Sequence, residues 1–579
     1  MLDKPFPSDS VLRAFARRAG VPRRFAAALL AMVGLALVLF ALAAPARAQS
    51  SSPAVARITT DQSAIMRQFE PPLTRPPSLG GRISAPVAGL PTDQLAKTRF
   101  RLASVTLEGV EALRPSNIAA TWQRFLGRDI SLEQVKIILE DIEKAYRKDD
   151  YGVVVIAPRQ DFASGHLRII VYELYIRELV VNGASEHLRQ RLDPYLERIT
   201  AMRPLRISQV YRQLLLAEDL AGISIYAIFD RIEDDPGAAR LQLDITTSRG
   251  SVNAALNNYG SPSTGRLQGA MGGQLNDAFG LFEKTDLLAV TNPVDPNDVV
   301  LGSLSQSFPL GPSGFGLTYS VGNSWANPGG SPGLDGIHSD IFTASAGVTY
   351  ALLRAMERNV ILSAAVNVNN TDVNLRGEPV SDTRARWVSL AAQYDDTVSG
   401  VTFILKPQLL LGIAGLESNL EDTDFSAATL TGVATYSPTK TLTAQLNIAG
   451  QYGFTPLPDA LLTAYGGEGF GPAYDPAAIV GNSGASVGLK LSQSIDAKLS
   501  WLSDFSLFGT IDYGAVWNRS AIPYDFADLG SVGLGVQGTI NDHLTAMVMV
   551  ATPLWYDDTL SALGVEQGTA VRFSLAFRK

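Results

Sequence analysis

The chain has 579 residues, a formal charge of −8 and only 18% charged residues, with 51 Gly, 32 Pro, 4 His and no Cys. The lack of cysteine excludes a disulfide framework, a thiolate metal site and a thiol nucleophile. The acidic balance argues against a nucleic-acid binder, which carries a basic face, and the length fits several domains or one large barrel.

Residues 1–24 carry Lys4, Arg13, Arg17, Arg18, Arg23 and Arg24, residues 25–44 are almost wholly apolar, and Ala46-Arg47-Ala48 supplies small residues for a cut. This pattern reads as a secretory signal removed after Ala48; the alternative is an uncleaved anchor, since about 20 apolar residues span a bilayer. Seven basic and two acidic side chains lie in residues 1–48, which leaves the mature chain at −13. No second apolar run of comparable length follows, so no transmembrane helix is expected in the mature chain, and a periplasmic or outer-membrane destination is.

Residues 49–96 read as a helix and a linker. Residues 60–70 place Ile65, Met66 and Phe69 on one helical face, and prolines at 71, 72, 76, 77, 86 and 91 then favour an extended tether over a packed element. From residue 100 the pattern changes. Residues 103–108 alternate and stop at Gly109, Ser116 is a candidate cap for a helix with Ile118, Trp122 and Phe125, and Ser131 with Gln134 forms a capping box. Behind it Val135, Ile138, Leu139, Ile142 and Tyr146 share one helix face. Short strands at 153–156 and 166–172 complete a β-α-α-β-β unit. It repeats: 176–181 ends at Asn182-Gly183, Ser208 is expected to cap a helix with Tyr211, Leu214, Leu215 and Leu220, and strands follow at 223–229 and 241–245. Matching positions are offset by 70 to 74 residues, which makes two domains, 97–173 and 174–249, a better reading than one. Tandem units of this kind resemble POTRA domains, and DYGVVVIAPRQDFASGHLRIIVYE is similar to the end of the first POTRA of two-partner-secretion transporters.

Residues 250–579 hold sixteen alternating segments, starting near 250, 266, 284, 298, 314, 341, 357, 384, 400, 427, 442, 484, 505, 531, 543 and 570. In the last of them Val571, Phe573, Leu575 and Phe577 oppose Arg572, Ser574 and Ala576. Apolar-out, polar-in alternation with an even strand number is the pattern of a transmembrane β-barrel, although a soluble sandwich alternates too. One connection, residues 454–483, is 30 residues long without a clear strand and carries six Gly and Pro residues in 466–476. A loop of that length is usually functional.

At this point the chain resembles the haemolysin secretion/activation family, the outer-membrane transporters of two-partner secretion. The resemblance implies a mainly β protein: a 16-stranded antiparallel transmembrane barrel preceded by two periplasmic α+β POTRA domains and an N-terminal plug-like helix. It implies that the sixth extracellular loop folds back into the barrel, with a tip motif Val/Ile-Arg-Gly-Tyr/Phe that pairs with an inward aspartate on strand thirteen. Here the tip reads Gly471-Pro472-Ala473-Tyr474, so Pro472 stands in place of the arginine, while Asp512 occupies the aspartate position. By alternation Ser486, Gly488 and Lys490 face the lumen on the preceding strand, which makes Lys490 a substitute partner for Asp512; the alternative is that both charges are simply hydrated.

The implied function is capture of an unfolded partner by the POTRA domains and its export through the barrel, the client being a large β-helical exoprotein of haemolysin or adhesin type. The expected surroundings are outer-membrane lipids, the expected state a monomer, and neither cofactor nor enzymatic activity is expected. No G-x-x-x-x-G-K-[ST] loop is present to supply energy, and His166, His187, His338 and His543 are scattered without a metal or catalytic spacing. The competing readings are an outer-membrane assembly factor built from the same parts and a passive porin.

Overall fold

The computed structural model describes residues 62, 65, 69, 73–83, 99–232, 234–328, 336–413, 424–518, 524–562 and 565–579. The expected export signal, Met66 and residues 84–98 of the linker lie outside the described residues.

The linker contributes strand β1 (Gly80–Ile83). The first repeat then comprises β2 (Arg99–Arg101), β3 (Ser104–Glu108), two short helical turns, β4 (Asp129–Ser131), α1 (Leu132–Lys148), β5 (Val153–Ile156) and β6 (His166–Glu173). Its main sheet runs β3-β6-β5, with β3 parallel and β5 antiparallel to β6. The α1 face read from the sequence is the buried one, from Val135 to Tyr146. Its capping box forms as well: the Ser131 N–H donates to Gln134 Oε1 at 2.9 Å.

The second repeat has β7 (Tyr175–Asn182), α2 (Glu186–Thr200), α3 (Ile207–Glu218), β8 (Ile223–Ile232) and β9 (Asp235–Thr247). Its own strands run β8-β9-β7, with β7 parallel and β8 antiparallel to β9, which is the topology of the first repeat. The correspondence extends to single atoms. Gly109 and Gly183 end the first strand of each repeat with φ of +76° and +77°. A Cβ on Gly109 would lie 2.3 Å from the Val171 carbonyl oxygen, and one on Gly183 would lie 2.2 Å from that of Ile245. Any side chain there collides with the neighbouring strand, in a backbone region that L-residues already avoid.

Three local expectations change. The first helical turn starts at Pro115 behind Arg114, so Ser116 lies inside it and is not the cap. Ser208 likewise lies inside α3, behind Arg206, and its N–H donates instead to Asp150 Oδ1 of the first repeat at 2.8 Å. The helix α2 was not read from the sequence; Ser185 caps it, accepting from the Leu188 N–H at 3.2 Å.

Glu218 is 6% exposed at the end of α3 and accepts a hydrogen bond from the Ile225 N–H of β8. Burial pushes its carboxyl up to about 7, and that N–H pulls it only partly back. A raised pKa means that its contribution to stability is complete in acid and is lost as the pH rises through about 7. Amide exchange in α3 and β8 should therefore speed up between pH 5 and pH 8, beyond the intrinsic chemical change. Glu218→Gln should flatten that dependence; an unchanged pH profile would contradict the assignment.

The strands from Gly250–Asn257 to Ala570–Arg578 build a closed barrel. Its first eight strands are β10 (Gly250–Asn257), β11 (Gln268–Asn276), β12 (Lys284–Thr291), β13 (Val299–Pro309), β14 (Phe315–Ala326), β15 (Ile337–Arg354), β16 (Asn359–Leu375) and β17 (Glu378–Val398). Then come β18 (Val401–Gly412), β19 (Ser426–Tyr436) and β20 (Leu442–Gly453). The long loop follows, with β21 (Thr463–Tyr465) and β22 (Ile479–Gly481) inside it. The wall resumes with β23 (Ser483–Ser494), β24 (Leu502–Trp517), β25 (Phe526–Ile540), β26 (Leu544–Pro553) and β27 (Ala570–Arg578). Every wall pairing is antiparallel between chain neighbours, and β27 closes on β10. The repeats join β10, so that end of the barrel is its near mouth, and the long loop leaves from the far mouth.

The outer face carries an apolar belt: Met271 is 68%, Leu534 71% and Val571 59% exposed. A soluble protein rarely exposes so large a contiguous apolar surface, whereas lipid requires it. Among the described residues no helix is long and apolar enough to cross a membrane, so the crossing is made by strands.

Candidate functional site

Three elements converge on the lumen: the N-terminal helix, the linker and the long loop.

Residues 62, 65 and 69 are helical. Ile65, fully buried, packs with Phe69 against Ala270, Val290, Val299 and Leu301. These residues lie at the far ends of β11, β12 and β13, on the inner wall. Gln62 is also fully buried, and its Oε1 accepts from Ser339 Oγ at 3.2 Å. Ile65 and Phe69 of the expected plug face thus lie inside the barrel.

Ten residues on, the chain is at the near mouth. Arg75 Nε donates to Asp395 Oδ2 at 3.0 Å and Nη1 to Thr397 Oγ1 at 2.7 Å, and Nη2 reaches the Glu357 carbonyl. Arg354, with its side chain 1% exposed, gathers the parts meeting there. It donates to both Asp219 oxygens, from Nε at 2.9 Å and Nη2 at 2.8 Å, to Asn359 Oδ1 at 3.1 Å and to the Pro77 carbonyl at 2.6 Å. Asn359 in turn donates to Asp395 at 2.9 Å. Second repeat, barrel and linker are therefore joined through one continuous polar network. The linker is also less free than its prolines suggested. Its proline-free residues Gly80–Ile83 pair in parallel with Tyr226–Phe229 of β8 and cover that sheet edge.

The long loop folds back inside, and the stretch read as strandless holds a short hairpin, Thr463–Tyr465 on Ile479–Gly481. Beyond it Gly466, Gly467, Gly469 and Gly471 all take positive φ, which allows the tight tip. Tyr474 is 1% exposed and packs with Tyr465, Phe508, Leu529 and Met549 of the same buried cluster. Its hydroxyl donates to the Gly530 carbonyl at 3.4 Å. Ala473 is buried in the same cluster, and Gly471 lies against Leu529.

The proposed wall pair does not form. Register sets Gly488, not Lys490, opposite Asp512, and Lys490 opposite Thr510. The Lys490 amine donates to Gln537 Oε1 at 3.2 Å and sits 4.2 Å from the Phe508 ring centre. Asp512 is 6% exposed, and its Oδ2 has no hydrogen-bond partner among the described residues.

The arginine missing at Pro472 is supplied by the wall. Arg572 of β27, 3% exposed, donates from Nε to the Pro472 carbonyl at 2.9 Å and from Nη2 to the Tyr474 carbonyl at 2.7 Å. It lies 3.6 Å from Asp475 Oδ1, which also accepts from Arg266 Nη1 at 2.9 Å. Sequence reading placed Arg572 on the inward face but gave it no role, because its acceptors are carbonyls of a segment 100 residues away.

Comparison with known proteins matches residues 100–173 to the POTRA domain, ShlB-type, and residues 239–538 to the haemolysin secretion/activation protein family ShlB/FhaC/HecB. Among solved structures, CdiB from Escherichia coli is similar at 16% identity and TM-score 0.70, covering 92% of this chain and all of that one. CdiB from Acinetobacter baumannii is similar at 14% identity and TM-score 0.66, with the same coverage. At these identities the likeness shows the fold. No curated protein sequence matches the chain.

Proposed function

Because the chain belongs to the haemolysin secretion/activation protein family, ShlB/FhaC/HecB, we propose that it captures an unfolded partner protein in the periplasm through its two repeats and exports it through the barrel lumen. Family membership makes it an outer-membrane transporter of two-partner secretion, with the repeats on the periplasmic side. The observation that carries the finer reading is a lumen filled at rest by segments of the chain itself, each held by side-chain contacts and none by a covalent bond. Such a lumen suits a channel that opens for a client and closes behind it.

Capture by strand addition suits an extended client, since backbone pairing tolerates any sequence. The β3 strand lies at the edge of the first sheet, with alternate residues exposed. The linker already pairs in this way with β8. With no nucleotide-binding loop in the chain, folding of the client outside the cell supplies the pull. The client we infer is a large β-helical exoprotein of haemolysin or adhesin type.

Deleting the gene and cataloguing the medium and the outer membrane tests this. Loss of one large exoprotein from the medium, with outer-membrane barrels at their normal level, is the expected result. A general decline of outer-membrane barrels would identify an assembly factor instead.

A further inference from the structure

The barrel closes where β10 meets β27, and this seam is short: its ladder runs only from Asn253↔Arg578 to Asn257↔Ser574. The β15–β16 pairing, by contrast, extends from Ile337↔Leu375 to Arg354↔Asn359. Past Asn257 the far end of the seam is held mainly by side chains. Asn258 Nδ2 donates to the Val571 carbonyl at 2.8 Å, and Asn258 Oδ1 accepts from the Phe573 N–H at 2.8 Å. Arg572 Nη1, coming from β27, donates to the Asn258 carbonyl at 3.1 Å.

The loop tip sits on this point. The guanidinium that reaches across to Asn258 donates from its other two nitrogens to the Pro472 and Tyr474 carbonyls of the loop. Asp475, the next loop residue, lies between two arginines from opposite sides of the seam. Arg572 belongs to the last strand, and Arg266 belongs to the connection that follows the first. Arg266 also donates to Glu566, in the connection that leads into the last strand, at 2.7 Å.

We propose that the loop tip staples the barrel seam, with Asp475 as the bridging carboxylate and Arg266 and Arg572 as the two legs. Without the loop, Arg572 loses two of its three carbonyl acceptors, and both arginines lose the carboxylate between them, which leaves Arg266 with Glu566. A buried cation that loses acceptors is costly, and like charges at close range repel. Residence of the loop therefore closes the seam, and its departure loads the seam to open at the far end. Arg572 and Asp475 are positioning residues: in a transporter, which is the reading this rests on for its consequence, they tie the width of the exit to the position of the loop.

The seam itself is measured without a client, so it stands or falls apart from the transport reading. Amide exchange is followed in the purified full-length protein in detergent, comparing β10 and β27 with the loop hairpin and with the β15–β16 pair as a control. Asp475→Asn should speed exchange about tenfold in both the loop and the seam strands, the loss of one charged hydrogen-bonded partner, and leave β15–β16 unchanged. Asn258→Ala, which touches the seam and not the loop carbonyls, should in turn speed exchange in the loop. If Asp475→Asn assembles poorly, Arg266→Met tests the staple from its exposed leg, with the same pattern at smaller size. Faster loop exchange with an unchanged seam would overturn the proposal, as would no change in either.

Discussion

Deleting residues 53–95 should open the barrel. In planar bilayers the single-channel conductance should rise at least severalfold over the intact protein, because a barrel of about 16 strands leaves an aqueous channel when nothing fills it. The expectation rests on Ile65 and Gln62, both fully buried against the inner wall near the far mouth, and on Arg75 and Pro77 held at the near mouth. An unchanged conductance would mean that the loop alone closes the channel.

A single substitution, Arg75→Met, should reproduce part of this. Asp395 is fully buried; the change removes its only ion-pair partner among the described residues and leaves Asn359 as its remaining donor. Removing one partner of a fully buried pair costs about 3–5 kcal/mol. Arg75 is 26% exposed, so a cost of about 1–3 kcal/mol is the fairer expectation. The plug is then released more often, and the open fraction in bilayer recordings should grow by roughly tenfold or more. Asp395→Asn alone should do less, since Arg75 keeps Thr397 and the Glu357 carbonyl. The double variant should fall short of the sum of the two, because both changes act on one contact. Strict additivity would show that this ion pair does not hold the linker.

The wall was legible in the sequence because lipid and lumen impose opposite demands on alternate residues. Val571 and Leu575 face out while Arg572 faces in, as alternation over the last segment predicted. The repeats were legible because each strand end demands the same glycine, Gly109 and Gly183. What alternation does not give is register. It put Lys490 and Asp512 on the same face, but their separation depends on which residues pair, and Gly488 takes the place opposite Asp512. The linker strand was missed for another reason: four proline-free residues among many prolines carry no strand signal, and β8 supplies their order. Arg572 shows the same limit. A backbone carbonyl has no signature in sequence, so a guanidinium bound to three of them reads only as an inward charge. The tip was found through Tyr474 and its glycines, and the residue that holds it was not.

The central claim is that a client passes through this lumen. Site-specific photocrosslinking during export tests it most directly. A crosslinking residue in place of Asn447, which faces inward on β20, is compared with one in place of Leu491, which is 48% exposed on the outer face of β23. The client is stalled by a folded domain fused to its C-terminus. Crosslinks to the stalled client from position 447 and none from 491 are the predicted result. Crosslinks from 491 alone, or from neither position while export proceeds, would contradict passage through the barrel.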